Sequence, residues 1–399
     1  MVNDTNKPTI FFLINSMHGG GAEKVVANLT LALEPKYNVY ILLLNKQTSE
    51  DYTTGGQIIV LDDGIRRNKI QQYIFYKKEI EYLSKKYNPK VIISFLLNAC
   101  LCNIIAKTRV KKILSIRNYL KKQFSGKRLF FWEFCFKYLF TKSDIVVSVS
   151  NSMEDDLVKN YNLRPEKSKV ISNPYFIESL INAMKEPIED EYLDFFSSRV
   201  IVNIGSLHKQ KGQCHLIRAF AELKKYIPDL KLVIIGKGTN SEFELELKKL
   251  AQDLKVDKEV LFLGHQSNPH KYLKSATVFA FPSLYEGFPN ALVEAMICGV
   301  PIISTDCETG PREILAPSTP FSKKAISIEE AEYGILVPTD KKSWLNADEP
   351  LTKEESLLVI ALQEILTNKE KFNYYKKASK KRGYDFSIDN VLFEWEKIL

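Results

Sequence analysis

The chain has 399 residues, of which 45% are hydrophobic and 26% charged, with a formal net charge of +8. That length exceeds one ordinary core and predicts two domains, and the balance is that of a soluble globular protein without low-complexity tracts. The six cysteines (Cys100, Cys102, Cys135, Cys214, Cys298 and Cys307) show no C-x-x-C pairing, which argues for reduced core thiols and against a disulfide framework or zinc site.

The apolar run near the N-terminus, Ile10 to Ile14, is too short for a signal peptide, and no stretch reaches the roughly 20 apolar residues a spanning helix needs. The expectation is an intracellular protein that does not cross a membrane. Residues 1–185 hold 28 Lys+Arg against 16 Asp+Glu, a net of +12, and the remainder holds 28 against 32, a net of −4. A basic first half predicts an anionic partner, nucleic acid or anionic lipid.

Strand-like runs in the first half fall at 9–15, 38–45, 57–62, 91–96, 112–117, 144–150 and 169–172, with helical patterns such as Ala22–Leu33 and Asn151–Tyr161 in the gaps. The runs are apolar throughout, as strands are when helices cover both sheet faces. Residues 175–198, with Pro187 and the acidic run IEDEYLD, read as a linker. The rhythm restarts at 199–205, 231–236, 260–264, 277–283, 301–305 and 334–338, and the tail from about Lys353 is helical. The predicted class is α/β, with two Rossmann-like doubly wound parallel-sheet domains facing a central cleft. Their expected spans are 1–180 and 199–380, with a helix at 381–399 crossing back to the first domain.

Ligands of open parallel sheets bind beyond the carboxyl ends of strands, and four motifs lie there. Gly19, Gly20 and Gly21 follow the first strand and open a helix, so backbone can approach a phosphate or sugar closely. A plain tight turn is the alternative, and the spacing is not a dinucleotide fingerprint. GSLHKQKG (205–212) places Lys211 at a helix start, within reach of a diphosphate. In PSLYEGFPNALVEAM (282–296), Glu286 lies in a loop, Gly287 permits unusual backbone angles, Pro289 suits the first helical position and Glu294 follows on the helix. A carboxylate there can accept bonds from a vicinal diol such as ribose. STDCETGPREIL (304–315) is a further strand–loop–helix junction, with Glu308 ahead of Gly310 and Pro311.

The segment EGFPNALVE resembles the E-x7-E motif of glycosyltransferase family 4, retaining enzymes of the GT-B fold. GGGAEK (19–24), VSVSNSMEDDL (147–157), VISNP (170–174) and IVNIGSLHKQKGQCHLIRAF (201–220) are similar to its other conserved segments. GPREIL (310–315) resembles a branch that builds bacterial surface polysaccharides on lipid carriers. The resemblance implies that a hexose or N-acetylhexosamine moves from a UDP-sugar to a lipid-linked or other glycan acceptor. It implies Glu286 at the donor sugar hydroxyls and the amides of Gly287, Phe288 and Pro289 around sugar and diphosphate, beside the helix start whose amides through Asn290 would point at an anion. Glu294 would bind the ribose, Lys211 the leaving diphosphate, and Gly236, Gly238, Leu263 and Gly264 the base. Gly19–Gly21 would face donor phosphates and acceptor.

Two departures stand out. Ser206 occupies the position where the family usually has Arg, leaving His208 or Lys209 to compensate. Many members carry a first-domain His near the donor sugar, whereas here Arg117 and Asn118 end a similar strand and His18 is the first half's one histidine. Arg117 is therefore a candidate catalytic residue beside Glu286 and Lys211. No Asp-x-Asp follows a strand, so Lys211 and helix N-termini would stabilise the leaving group without metal or other cofactor.

Between Leu129 and Phe140 seven of twelve residues are aromatic, flanked by Lys121, Lys122, Lys127, Arg128 and Lys142. Such a helix is either core or interfacial, and its cations favour peripheral attachment to an anionic membrane, here the inner face of the cell membrane. No nucleic-acid module is evident. An epimerase of the same fold and a non-catalytic transferase subunit are the competing readings.

Overall fold

The computed structural model describes residues 7–46, 52–117, 119–120, 124–238 and 241–399. Two compact units divide the chain: Met1–Tyr175 with Ser387–Leu399, and Phe176–Phe386.

Unit one carries seven parallel strands: β1 (Thr9–Ile14), β2 (Asn38–Leu43), β3 (Gln57–Val60), β4 (Val91–Phe95), β5 (Lys111–Ser115), β6 (Ile145–Ser148) and β7 (Ser168–Val170). They are ordered β3-β2-β1-β4-β5-β6-β7, so the winding reverses between β1 and β4. Alternate residues of β1 serve opposite faces: Ile10, Phe12 and Ile14 join one apolar cluster, Phe11 and Leu13 another. That two-sided burial is why the strand reads as one unbroken apolar run. The chain's last helix, Ile388–Glu396, belongs to this unit, where Trp395 is fully buried and stacks on Phe95 at a centroid distance of 6.1 Å.

Unit two repeats the plan with β8 (Val200–Ile204), β9 (Lys231–Ile235), β10 (Val260–Gly264), β11 (Val278–Phe281), β12 (Ile302–Thr305), β13 (Glu329–Glu330) and β14 (Ile335–Val337). The order is β10-β9-β8-β11-β12-β14-β13, reversing between β8 and β11, and β13 alone pairs antiparallel. Local signals set the helix ends. Thr352 and Glu355 form a reciprocal capping box for the helix Lys353–Thr367, and Asn68 and Gln71 do so for Lys69–Tyr87.

The stretch read as a linker is part of unit two. It forms the helices Ile177–Ala183 and Asp190–Phe196, because apolar Ile177 and Leu180 bury and Phe196 stacks on Tyr272 at 5.7 Å. The chain changes unit at Tyr175 and again at Phe386, earlier on the first passage than 180 and later on the second than 380.

Candidate active site

In unit two the winding reverses between β8 and β11, and the loops beyond their carboxyl ends are laced together. The β8 loop makes a 3-10 turn at Lys209–Lys211, capped by His208, whose Nδ1 accepts from the Gln210 amide at 3.2 Å. Leu284 N–H donates to the Gln210 carbonyl at 2.8 Å, and Gln210 Nε2 donates to the Tyr285 carbonyl at 2.7 Å. Gly212 sits at φ +65° against the Pro282 carbonyl, which a Cβ would strike. This lacing brings Lys211 Nζ to 2.7 Å from Glu286 Oε1. Glu286 is only 9% exposed, so the pair sits where water screens it little.

The β12 loop supports Glu286 from the other side. The Thr309 hydroxyl donates to the Glu286 carbonyl, and Gly310, at φ +91°, packs on Pro289. Arg312 anchors that loop, donating through Nε and Nη2 to buried Asp306 and through Nη1 and Nη2 to Glu329 at 3.0 Å. Glu308 is exposed. Three details differ from expectation. Gly287 is outside the left-handed region that Gly212 and Gly310 occupy. Pro289 caps the helix Asn290–Ile297 rather than opening its first turn. As a tertiary amide Pro289 has no N–H, so among these residues only Gly287, Phe288 and Asn290 can donate from the backbone. Glu294 lies one turn into that helix and is buried, 3.5 Å from Nε2 of buried His270.

The glycines expected at the base lie at the carboxyl edge of the same sheet. Gly236 N–H donates to the Gly264 carbonyl at 2.8 Å, and a Cβ on Gly236, at φ +149°, would collide with the Gly205 carbonyl. The end of β10 and the loops after β8 and β9 therefore meet backbone to backbone, with Leu263 and Gly264 the last residues of β10. The Ser206 carbonyl accepts from Gln213 Nε2 at 3.1 Å, and Lys209 lines a separate open cavity of about 640 Å³ with Trp344 and Asp253.

In unit one, Gly20 caps the helix Gly21–Leu33 directly beyond β1, with extended rather than left-handed backbone. Across the reversal point, Leu96 follows β4 at φ +70°, a strained angle for leucine of the kind that clusters at functional sites. Arg117 follows β5 and is 8% exposed. Its Nε donates to Ser115 Oγ at 2.8 Å, its Nη1 to Asn173, and its guanidinium lies 5.1 Å from the Phe95 ring centroid. These partners are neutral and Nη2 has no hydrogen-bond partner among the described residues, so burial pushes the guanidinium down to about 9. Asn118 lies outside the described residues.

The aromatic segment divides its residues between core and surface. Along the helix Gly126–Phe134 and the π turn Cys135–Leu139, Trp132, Cys135 and Phe136 are buried, as is Phe140 beyond them. Phe130 (75% exposed), Phe131, Phe134 and Tyr138 (56%) face water, beside exposed Lys127 and Arg128. Lys121 and Lys122 lie outside the described residues. Among the described residues no helix is long and apolar enough to cross a membrane, and no cluster of three or more His, Cys, Asp or Glu side chains could hold a metal ion.

Sequence reasoning missed Leu96, Thr309 and His270. Thr309 and His270 gain meaning only when a loop or helix distant in sequence packs against them, and nothing in the local pattern marks either.

Residues 19–178 match the glycosyltransferase family 4 pattern, and residues 184–326 match that of glycosyl transferases group 1. An uncharacterised glycosyltransferase of Methanocaldococcus jannaschii is 34% identical over 268 residues, 66% of this chain but only 65% of the relative's own length. An N-acetylgalactosamine-N,N'-diacetylbacillosaminyl-diphospho-undecaprenol 4-alpha-N-acetylgalactosaminyltransferase of Campylobacter jejuni is 30% identical over 342 residues, covering 83% of this chain and 86% of the relative. Among solved structures, Anabaena HepE in complex with UDP and glucose superposes with a TM-score of 0.76 at 17% identity, covering 98% of this chain and 99% of the other. With its two doubly wound seven-stranded sheets, the chain belongs to glycosyltransferase family 4 and is a glycosyltransferase of the GT-B fold.

Proposed function

We propose that the protein is a retaining transferase that moves a hexose or N-acetylhexosamine from a UDP-sugar to a lipid-linked or other glycan acceptor, in building bacterial surface polysaccharide or a related glycan. The observation that carries this reading is the 2.7 Å contact between Lys211 Nζ and Glu286 Oε1 at the point where the second sheet reverses. One group suits a departing diphosphate and the other suits sugar hydroxyls, and they stand one hydrogen bond apart. The Campylobacter jejuni relative, whose name specifies a diphospho-undecaprenol-linked acceptor, and the UDP and glucose bound to HepE support the choice of acceptor and donor.

In this reading Glu286 accepts bonds from donor hydroxyls, Glu294 receives the ribose diol, and the amides of Gly287, Phe288 and Asn290 face the sugar and diphosphate. The loops at Gly236–Gly238 and Leu263–Gly264 flank the base, and Gly19–Gly21 face phosphates and acceptor. Lys211 stabilises the charge that grows on the leaving phosphate, and Arg117 is unit one's buried cation for an anionic group. That phosphate oxygen takes the acceptor hydroxyl's proton as the new bond forms on the same face, so no protein nucleophile is assigned. No metal or cofactor is required. The exposed rings of 130–138 and their basic neighbours attach the protein to the anionic inner face of the cell membrane.

The test is UDP release from a panel of UDP-sugars, with membrane extract as acceptor. Lys211→Ala should lower turnover on the order of 10²–10³-fold, as loss of one electrostatic donor does. EDTA should leave the parent rate unchanged. Inhibition by EDTA that Mn²⁺ or Mg²⁺ restores would refute the metal-free route, and an undiminished Lys211→Ala rate would remove the leaving-group role.

A further inference from the structure

His270 is buried beside Glu294 and belongs to none of the motifs above. Its surroundings determine where its protons lie. Asn268 donates from Nδ2 to the Ala183 carbonyl at 2.8 Å, which turns its Oδ1 towards His270. That oxygen accepts the His270 backbone N–H at 3.2 Å and stands 3.2 Å from the ring Nδ1. Nδ1 must therefore be the donor in that contact. Nε2 faces Glu294 Oε2 at 3.5 Å and has no hydrogen-bond partner among the described residues, although the atom is fully buried. A bare Nε2 would set one acceptor against another in a site that water does not reach, which is costly. A proton on Nε2 removes the conflict and turns the contact into a charge-assisted tether.

The short helix His270–Lys274 that carries this ring is itself tied down. Lys271 Nζ and the Tyr272 hydroxyl both reach Glu189, at 2.5 and 2.6 Å. With Asn268 bound to Ala183, the segment entering unit two braces the ring against the helix that bears Glu294.

We infer that His270 is a positioning residue for nucleotide binding: its Nε2–H holds the Glu294 carboxylate in the orientation that receives the ribose diol. This rests on the reading of Glu294 as the ribose acceptor. Because Nε2 is buried, His270 acts through Glu294 and does not touch the nucleotide.

The experiment is calorimetry with UDP and with 2',3'-dideoxy-UDP, which lacks both hydroxyls, on the parent, His270→Phe and His270→Gln. Loss of one charge-assisted tether predicts that His270→Phe binds UDP about tenfold more weakly. It should bind dideoxy-UDP as the parent does, a result that also certifies the fold. His270→Gln keeps an N–H donor and should recover most of the UDP affinity. Equal weakening towards both nucleotides, or no weakening towards UDP, overturns the role of His270. If the parent itself does not distinguish the two nucleotides, the ribose assignment of Glu294 fails, and the inference falls with it for that separate reason.

Discussion

His215 shows how much one buried ring can be asked to do. Its Nδ1 lies 2.8 Å from Glu355 Oε1 and its Nε2 lies 2.9 Å from the Lys342 carbonyl. Both partners are acceptors, so both ring nitrogens must carry protons and the ring is an imidazolium. Burial opposes that charge, but Cys214, Glu355 and Asp340 outweigh it and raise the ring from 6.5 to about 10. Arg218 shares Glu355 and also donates to the carbonyls of Asn346, Glu349 and Pro350, so the cluster fastens the 340–352 loop to the helix Gln213–Lys224. A group raised on folding stabilises the fold fully below its unfolded value and loses that contribution as pH climbs through its folded value. His215→Leu should therefore cost about 2 kcal/mol at neutral pH, the worth of a charged hydrogen bond whose partner Glu355 keeps Arg218. The gap from the parent should close as pH approaches 10. Thermal melts of both proteins from pH 6 to 10 decide this, and a gap that stays constant with pH would show that packing, not charge, is what the ring supplies. None of this cluster was legible in the sequence, because Glu355 lies 140 residues from His215. Lys211 and Glu286 were legible, since each sits in a motif with its own local logic of strand end, glycine and helix start.

At the scale of elements, thirteen of the fourteen strands among the described residues fall on runs that the sequence already marks, because β-branched and aromatic residues filled both faces. The exception, β13, is two glutamates whose pairing with β14 owes nothing to strand propensity. The helices at 177–183 and 190–196 escaped because each is about two turns long, too short for a period to show through Pro187 and the acidic run. Loops follow a different rule: their shape is set by which neighbour they must clear. Gly310 is the clearest case, at φ +91° with a hypothetical Cβ 2.5 Å from Pro289 Cδ. Gly310→Ala would strain its own backbone and push Pro289, and with it the loop bearing Glu286. Misplacement of a positioned group by about 1 Å can cost on the order of 10²-fold in rate. The backbone strain itself costs about 1–3 kcal/mol. Turnover should therefore fall far more than stability, with UDP affinity falling less than turnover. Steady-state kinetics beside a melting curve separate the two. If activity and melting temperature fall only in proportion, Gly310 serves the fold and not the loop.

For the molecule as a whole, the question is where it works, and the surface of unit one gives the physical terms. Three of the exposed rings, Phe130, Phe134 and Tyr138, are each about half or more exposed on one short stretch, an arrangement that water disfavours. Moving each ring fully out of water is worth on the order of 1.5–3 kcal/mol, whereas each cation near anionic lipid contributes about 1 kcal/mol. The apolar contribution is the larger and does not depend on salt; the Coulombic part does. Raising salt from about 0.05 to 0.5 M shrinks the Debye length from roughly 14 to 4 Å. Flotation with anionic vesicles should therefore weaken over that range without vanishing. Lys127→Glu with Arg128→Glu should remove the salt-sensitive part. Phe130→Ser, Phe134→Ser and Tyr138→Ser together should release the protein at every salt concentration. All five substitutions lie in unit one, outside the Lys211–Glu286 site, so hydrolysis of a soluble UDP-sugar should continue at the parent rate while transfer to a lipid-linked acceptor falls. A parent that stays unbound at low salt would sink the membrane reading, and the exposed rings would then require an occupant other than lipid.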